Sequence, residues 1–285
     1  MPGSAAELLD LLDLEHLDVD LFRGRQPDTR RQRVFGGQVA AQALLAGARS
    51  VEEPFELHSL HSYFLRPGDT AIPILYDVER IRDGRSFVSR RVVARQHGRP
   101  IYYQTCSFQR PEEGFEHQAG LPDVPSPEQG VALVDLISRR GEAHAEEWRR
   151  EWAALDIRYV GTSQIGLEPD PLNPARARAW VRISGELPDD RWIQQAALLY
   201  ATDLTLLGVT LVPHGVRIDS PAVQPASLDH TVWFHRPARA DEWWLYDQHS
   251  PSASGGRGLA LANVFAPDGR LVATVAQEGL IRRLK

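Results

Sequence analysis

The chain has 285 residues, of which 42% are hydrophobic and 25% charged, and its formal net charge is −6 at pH 7. This composition is typical of a globular protein with a sizeable core, in one large domain or two of ordinary size. The negative charge predicts no nucleic-acid partner, and the acidic start of the chain is unlike a signal peptide, so we expect a cytoplasmic protein. The single cysteine, Cys106, excludes an internal disulfide and any multi-cysteine metal site.

The first part of the chain predicts two helices followed by an antiparallel sheet. Residues 5–17 carry leucines at helical spacing. Residues 38–48, which follow a Phe-Gly-Gly triplet, are uncharged and rich in alanine, as in a buried helix. From His58 the apolar period changes to two, and four strand-like runs are separated by Pro-Gly, Asp-Gly and His-Gly turn signals. We therefore expect one buried helix packed against an antiparallel meander.

A linker separates this unit from a second unit with the same plan. Residues 111–130 are rich in Pro, Glu and Gly, and residues 131–155 predict a polar connecting helix. Beyond them, two strands, an apolar helix at 191–207 and further strands follow. We therefore predict an N-terminal unit at 1–112, a linker with its connecting helix at 113–154, and a C-terminal unit at 155–285.

Two short motifs recur in both units at one spacing. An aromatic-rich strand ends in Arg-Pro at 66–67 and again at 236–237, and Leu-Tyr-Asp at 75–77 recurs at 245–247. Both pairs are 170 residues apart, which indicates an internal duplication. The fold we predict is α+β, with two antiparallel sheets that each wrap around one helix.

The apolar helix carries an isolated acid. Between Arg191 and Arg217, Asp203 is the only formally charged residue. A helix that is apolar all round is buried, and an unpaired carboxylate is costly in such an interior. Two interpretations stay open from the residues alone: an acid that ties buried groups together, or one retained for chemistry. The stretch 192–216 is long enough to cross a membrane, but Asp203 and its Gln, Pro and His residues argue against insertion.

Two strands of the second unit add polar side chains that suit this acid. Alternation places Gln277 on the core side of the last strand, and Ser227 opens the strand that contains the Asp229-His230 pair. A carboxylate, a hydroxyl and an amide together suit hydrolysis by water, because the first can take a proton while the others orient the water or hold a developing oxyanion.

Other motifs are absent or favour packing. The sequence has no G-x-S-x-G, no G-x-x-x-x-G-K and no G-x-G-x-x-G motif. The pairs His58/His61 and His230/His235 lack the spacing of a helical zinc site, so we interpret them as core or turn histidines and predict no metal. Cys106 lies in a strand without a nearby base and is interpreted as a packed thiol.

On these residues, the chain resembles the acyl-CoA thioesterase II family, the tandem or double hotdog thioesterases. The similarity covers nearly the whole chain, in motifs that include VFGGQVAAQAL (34–44), HSLHSYFLRPGD (58–69), SLDHTVWFHRP (227–237) and VAQEG (275–279). The resemblance implies a double hotdog fold, with a helix in a curved sheet twice per chain. It also implies hydrolysis of acyl-CoA to free acid and CoA with no cofactor, and we expect medium- to long-chain fatty acyl groups.

The resemblance also assigns roles to individual residues. The family's Asp, its Ser or Thr, and its Gln match Asp203, Ser227 and Gln277, which are the predicted catalytic residues. By the shifted spacing of the last strand, Cys106 stands where Gln277 does, so the first unit is expected to be structural. The residues considered for substrate binding are Gly37, His58 and Thr231, the last of which is also the second choice for the hydroxyl.

Two other functions stay open beside the thioesterase. An enoyl-CoA hydratase or dehydratase of the hotdog fold would use a His–Asp or His–Glu pair, and from sequence no histidine is paired with Asp203. A non-catalytic acyl-CoA sensor would need a DNA-binding module, and no helix-turn-helix or basic face is apparent. The expected partner is acyl-CoA, without membrane insertion, and a homo-oligomer is expected, a dimer or tetramer.

Overall fold

The computed structural model describes residues 1–168 and 170–284. The helices in this part of the chain are α1 (Ala5–Leu12), α2 (Gly36–Ala48), α3 (Leu133–Ser138), α4 (Glu142–Trp152) and α5 (Arg191–Thr202), and α5 is followed by a 3₁₀ segment at Leu206–His214. The strands of the first half are β1 (Glu15–Asp18), β2 (Leu21–Gly24), β3 (Glu56–Phe64), β4 (Ile74–Asp83), β5 (Phe87–Gln96) and β6 (Arg99–Gln109). The later strands are β7 (Val131–Ala132), β8 (Leu155–Thr162), β9 (Arg176–Ile183), β10 (Val223–Ser227), β11 (Asp229–Phe234), β12 (Trp244–Ser254), β13 (Arg257–Phe265) and β14 (Leu271–Arg283).

The strands form one continuous sheet in which the second half repeats the strand arrangement of the first half in mirror order. The order is β1-β2-β4-β5-β6-β3-β11-β14-β13-β12-β9-β8-β7, and β10 pairs with β14. The run β4-β5-β6-β3 is mirrored by β12-β13-β14-β11, and the two halves meet where β3 and β11 pair antiparallel. The predicted double hotdog, with two helix-wrapped antiparallel sheets related by duplication, is confirmed.

The two central helices, α2 and α5, pack closely because α2 begins with small residues. From Gly37 to Ala48 every residue of α2 is buried, and most of them are Ala, Gly or Leu. A Cβ atom on Gly37 would stand 2.5 Å from the carbonyl oxygen of Tyr200 in α5. Only glycine therefore lets the start of α2 lie against the end of α5, and this contact brings together residues from both halves.

Three predicted helices differ from the observed ones. Helix α1 ends at Leu12, because Asp13 is extended and the following residues pair with β2 as β1. The predicted polar helix at 131–155 is two helices, since Gly141 has a φ of 128° that interrupts the regular turn. Its first two residues form β7, which pairs with β8, so part of the linker extends the second sheet. The divisions at 112 and 155 stay a prediction.

The predicted helix at 191–207 also ends early, which changes the setting of the isolated acid. The α-helical hydrogen bonds stop at Thr202, Asp203 is the C-terminal cap residue, and the chain continues as the 3₁₀ segment. Asp203 therefore lies at a helix end and not in its middle. Within the described residues, Arg191–His214 is the one helical stretch long and apolar enough to cross a membrane, and 67% of its apolar window is buried inside the protein, as in a core helix.

Candidate active site

The carboxylate of Asp203 lies between the ends of the two central helices. Its side chain is only 5% exposed. As the cap of α5 it stands at the negative end of that helix dipole, which is unfavourable for an anion. Its Oδ2 atom, however, lies 2.7 Å from the position that a Cβ on Gly36 would occupy, at the start of α2. The positive end of α2, whose cap residue Phe35 supplies no side-chain acceptor, thus offsets the cost.

Gln277 contacts this carboxylate directly. It lies on the inner face of β14, is fully buried, and donates from Nε2 to Asp203 Oδ1 at 2.6 Å. A hydrogen bond to an ionised group is among the stronger ones in proteins. Two of the three predicted catalytic residues, 74 residues apart in sequence, are therefore brought into contact. The Oε1 atom of Gln277 is buried and has no hydrogen-bond partner among the described residues.

His230 is a member of this cluster that the sequence did not indicate. Its Nδ1 atom lies 3.2 Å from Gln277 Nε2 and 4.0 Å from Asp203 Oδ1, and its Nε2 atom lies 3.1 Å from Thr202 Oγ1. Burial lowers the pKa of His230, although the charge of Asp203 acts in the opposite direction. Strand alternation does place His230 on the core face with Val232, so its burial was foreseeable, but its neighbours were not.

Ser227 lies on the same face as Gln277, without a direct bond to it. Ser227 is paired with Gly279, whereas Thr231 is paired with Ala276, so one extra residue is inserted around Leu228. Directly opposed residues share a face, and Gly279 faces inward because a Cβ there would stand 2.5 Å from Leu207. Ser227 is thus the inward-facing diagonal neighbour of Gln277, roughly 7 Å away. No hydrogen bond joins its hydroxyl to Asp203 or Gln277 in the described structure.

Thr231, the second-choice hydroxyl, lies outside the cluster. It stands between His230 and Val232, which are both buried on the inner face, so its side chain projects from the other face of β11. Its cross-strand neighbours are His61 and Ala276. The alternation of the strand therefore removes Thr231 from the candidate site.

Gly37 and His58, the other residues considered for substrate binding, have different surroundings. Gly37 faces the backbone of α5, as described above, and it is Gly36 that faces the carboxylate. His58 Nε2 bonds Ser107 Oγ at 2.9 Å, and burial, followed by the nearby His61, lowers the pKa of His58. Four residues along β3 separate His58 from Ser62, which bonds the backbone of His230, so His58 is roughly 13 Å from the cluster.

An open cleft lies at the other end of α5. It has a volume of about 1260 Å³ and is lined by Leu57, His58, Gln195, Trp233 and Arg236, among others. Gln195 precedes Asp203 by eight residues, roughly 12 Å of helix. We assign the candidate site to the buried carboxylate and not to this cleft. Hydrolysis by water needs a base, and Asp203 is a carboxylate that has Gln277 and His230 as polar neighbours.

The corresponding position of the first half has lost the polar cluster. Cys106 is paired with Leu60, whereas Gln277 stands opposite His230 in the second half. The end of α2 presents Gly47 there, whose Cβ would stand 3.7 Å from the Cys106 sulfur. Burial, only partly offset by a hydrogen bond from a neighbouring glutamine, raises the pKa of Cys106 to about 12. The thiol is therefore protonated and packed.

The surroundings of Asp203 are apolar or neutral. The ring of Phe64 lies beside Gly36, and Tyr246 donates from its hydroxyl to the carbonyl oxygen of Thr202 at 3.0 Å. Burial raises the pKa of Tyr246 well above its ordinary value, and the charge of Asp203 raises it further. Electrostatic interactions are stronger in such an environment than in water. Among residues 1–168 and 170–284, no three His, Cys, Asp or Glu side chains are grouped so as to hold a metal ion.

Comparison with known proteins gives the same class for both halves. The family described as acyl-CoA thioesterase matches residues 172–280, and the family described as acyl-CoA thioesterase N-terminal domain matches residues 25–109. The chain is 42% identical to an acyl-CoA thioesterase II from Mycobacterium marinum, with a TM-score of 0.85 over 98% of this chain and 99% of that one. These matches define a tandem hotdog protein of the thioesterase class.

Similar full-length relatives identify the family. Acyl-CoA thioesterase 2 of Haemophilus influenzae is 41% identical over 96% of each chain, and human acyl-coenzyme A thioesterase 8 is 39% identical over 99% of this chain and 91% of its own length. The chain belongs to the acyl-CoA thioesterase family, and the predicted resemblance is confirmed.

Proposed function

We propose that the protein hydrolyses acyl-CoA to a free acid and CoA, using a water molecule activated by Asp203. The family gives the substrate class, and the observation that carries the proposal is the buried carboxylate bonded to Gln277 at 2.6 Å. This bond engages Oδ1 and leaves Oδ2, the oxygen near Gly36, available as a base. The proposed roles are base for Asp203 and water orientation for Ser227 and Gln277, whose Oε1 supplies an acceptor.

The reaction needs little more than these groups. Water loses a proton to Asp203 as its oxygen bonds to the thioester carbon, and the carbonyl oxygen becomes an oxyanion. The first N–H groups of α2, which have no partners within the helix, suit the stabilisation of that charge. The C–S bond then breaks, and the CoA sulfur takes the proton back from Asp203. A thiolate is a good leaving group because thiols are much stronger acids than alcohols (the free cysteine thiol has a pKa of about 8.5), so no strong acid is required.

The walls of the site support a medium- to long-chain fatty acyl group as substrate. The 3₁₀ segment presents Leu206, Leu207, Val209 and Leu211, all buried, against the inner face of the second sheet. Gly279 permits this contact, since its missing side chain makes room for Leu207. If the acyl chain lies against these apolar side chains, each methylene that it buries contributes roughly 0.8 kcal/mol to binding.

The hydratase alternative has one observation in its favour, because His230 lies 4.0 Å from Asp203. Both ring nitrogens are nevertheless occupied by Thr202 and Gln277, and the ring is fully buried. A histidine that protonates an enoyl substrate needs one nitrogen directed at that substrate. We therefore favour hydrolysis.

A panel of saturated acyl-CoA substrates from C2 to C18 tests the proposal by thiol release, with crotonyl-CoA as the hydratase substrate. The buried Cys106 adds little background to a thiol reagent, since it is fully inaccessible. We expect release of CoA with a maximum at medium or long chains and no loss of the crotonyl double bond. Absence of thiol release at every length, or hydration of crotonyl-CoA without hydrolysis, would overturn the proposal. A cytoplasmic location stays a prediction. A homo-oligomer also stays a prediction, and light scattering would measure its mass.

A further inference from the structure

The protonation state of His230 follows from the hydroxyl of Thr202. That hydroxyl donates its hydrogen to the carbonyl oxygen of Leu199 at 3.0 Å, so its oxygen must accept from His230 Nε2 at 3.1 Å. Nε2 therefore carries a proton, and in a neutral ring this leaves the lone pair on Nδ1. Because burial lowers the pKa of His230, the ring is neutral near pH 7.

This tautomer determines how the amide of Gln277 is turned. One amide hydrogen is donated to Asp203 Oδ1 at 2.6 Å and the other to His230 Nδ1 at 3.2 Å. Rotating the carboxamide by half a turn would place its oxygen against two acceptors, which loses both bonds and adds two repulsive contacts. Oε1 is therefore held facing away from both, in a buried position.

The two partners of the amide behave differently during the proposed reaction. Asp203 becomes neutral when it takes a proton from water, and its hydrogen bond to the amide then weakens. His230 keeps its lone pair and its charge state, because its only proton is committed to Thr202. The orientation of Gln277 would depend on Asp203 alone if His230 were not present.

We propose that His230 is a positioning residue, which holds the Gln277 carboxamide in one orientation while Asp203 gains and loses a proton. The reaction in this statement rests on the proposed function, whereas the orientation is a property of the free protein. In this role His230 does not contact the substrate and exchanges no proton with it. Its effect reaches the reaction through the direction of Gln277 Oε1.

Two substitutions separate this role from packing. His230→Leu removes the acceptor, and the first half already has a leucine, Leu60, at the corresponding strand position. His230→Asn keeps an acceptor near the place of Nδ1. We expect His230→Leu to lower kcat by about 10–100-fold, the range typical when a partner that orients a functional side chain is removed. KM should be unchanged, and His230→Asn should recover most of the rate.

A double-mutant cycle with Gln277→Ala gives the decisive rate comparison. Once the amide is absent, His230→Leu should cost no further kcat, because the positioning role has nothing left to position. A residue that only fills space would instead lower the melting temperature and cause the same loss in both backgrounds. Additive losses, or equal losses for His230→Leu and His230→Asn, would overturn the proposal.

Nitrogen NMR of the parent protein tests the orientation without any substrate or variant. We expect a neutral His230 ring protonated on Nε2, with a Gln277 amide whose two hydrogens are both bonded. A charged ring, or a proton on Nδ1, would overturn the proposal. If the NMR result is as expected while the parent releases no thiol from any acyl-CoA, the proposed function fails and the orientation of the free protein stands.

Discussion

Replacing Asp203 by asparagine isolates the proposed base from everything else that this residue does. Asparagine has the same size, and its Oδ1 can still accept the hydrogen bond that Gln277 donates at 2.6 Å. The bond loses its charge, which lowers its net contribution from about 1.5–3 to about 0.5–1.5 kcal/mol. Removing the negative charge relieves its unfavourable interaction with the C-terminal end of α5, about 0.3–1 kcal/mol, but also removes a favourable interaction of similar size with the start of α2, so the two helix effects nearly cancel. The free energy of unfolding should therefore change by only about 1 kcal/mol, a shift of about 2–4 °C in Tm.

The effect on rate should be far larger, because an amide cannot take a proton from water. Loss of a general base commonly lowers kcat by about 10²–10⁴-fold. The assay is thiol release under saturating acyl-CoA, with thermal unfolding of the same preparation and calorimetric binding of a thioether analogue that cannot be hydrolysed. Asp77→Asn, at an exposed acid of β4, is the matched control. If Asp203→Asn turns over as fast as that control, Asp203 is not the base.

Further predictions concern the neighbours of the site and the stability of the fold. Ser227→Ala should lower kcat by about tenfold, the worth of one hydrogen bond to the water, whereas Thr231→Ala should leave steady-state rates unchanged; the reverse result would reassign the hydroxyl. Gly36→Ala should mainly lower kcat, because its methyl group would meet the Asp203 carboxylate at 2.7 Å. Gly37→Ala should mainly lower Tm, because its methyl group would meet the carbonyl oxygen of Tyr200 at 2.5 Å. Burial acts to raise the pKa of Glu151, but hydrogen bonds from neighbouring residues outweigh it and hold that pKa at about 2, below its ordinary 4.5. The contribution of Glu151 to stability is then present above pH 4.5 and lost as the pH falls towards 2. The free energies of unfolding of Glu151→Gln and the parent, measured by denaturation at a series of pH values, should therefore converge over that range. A difference that stays constant with pH would contradict this.

The acid and the amide of the site were predictable because their signals are local. Asp203 is conspicuous as the one charge in a long apolar run, and alternation alone places Gln277 on the core side of its strand. The duplication is also visible in sequence, since the second half repeats short strand and turn motifs of the first half. The burial of α2 could be foreseen from its alanines, because small residues favour close contact, whereas its contact with α5 was not predicted.

The rest depends on relations between distant segments. The neighbours of His230 follow from the register between β11 and β14, and the face of Ser227 follows from the extra residue at Leu228, which no periodicity in one strand reveals. The end of α5 was misplaced because the apolar run continues unchanged into the 3₁₀ segment. The break at Gly141 was missed because a single glycine is tolerated inside a helix, and only its positive φ shows that it is a hinge between two.

The seam between β3 and β11 has a consequence for how the protein behaves at low concentration. The candidate site takes Gly36 and Phe64 from one side of that seam and Asp203 from the other. Two separate chains would have to find each other to build it, and dilution would take them apart. Here both sides belong to one polypeptide, so their encounter is unimolecular, with an effective concentration set by the linker and typically in the millimolar range for a short flexible tether. The pairing that completes the site should therefore survive any dilution that leaves the chain intact.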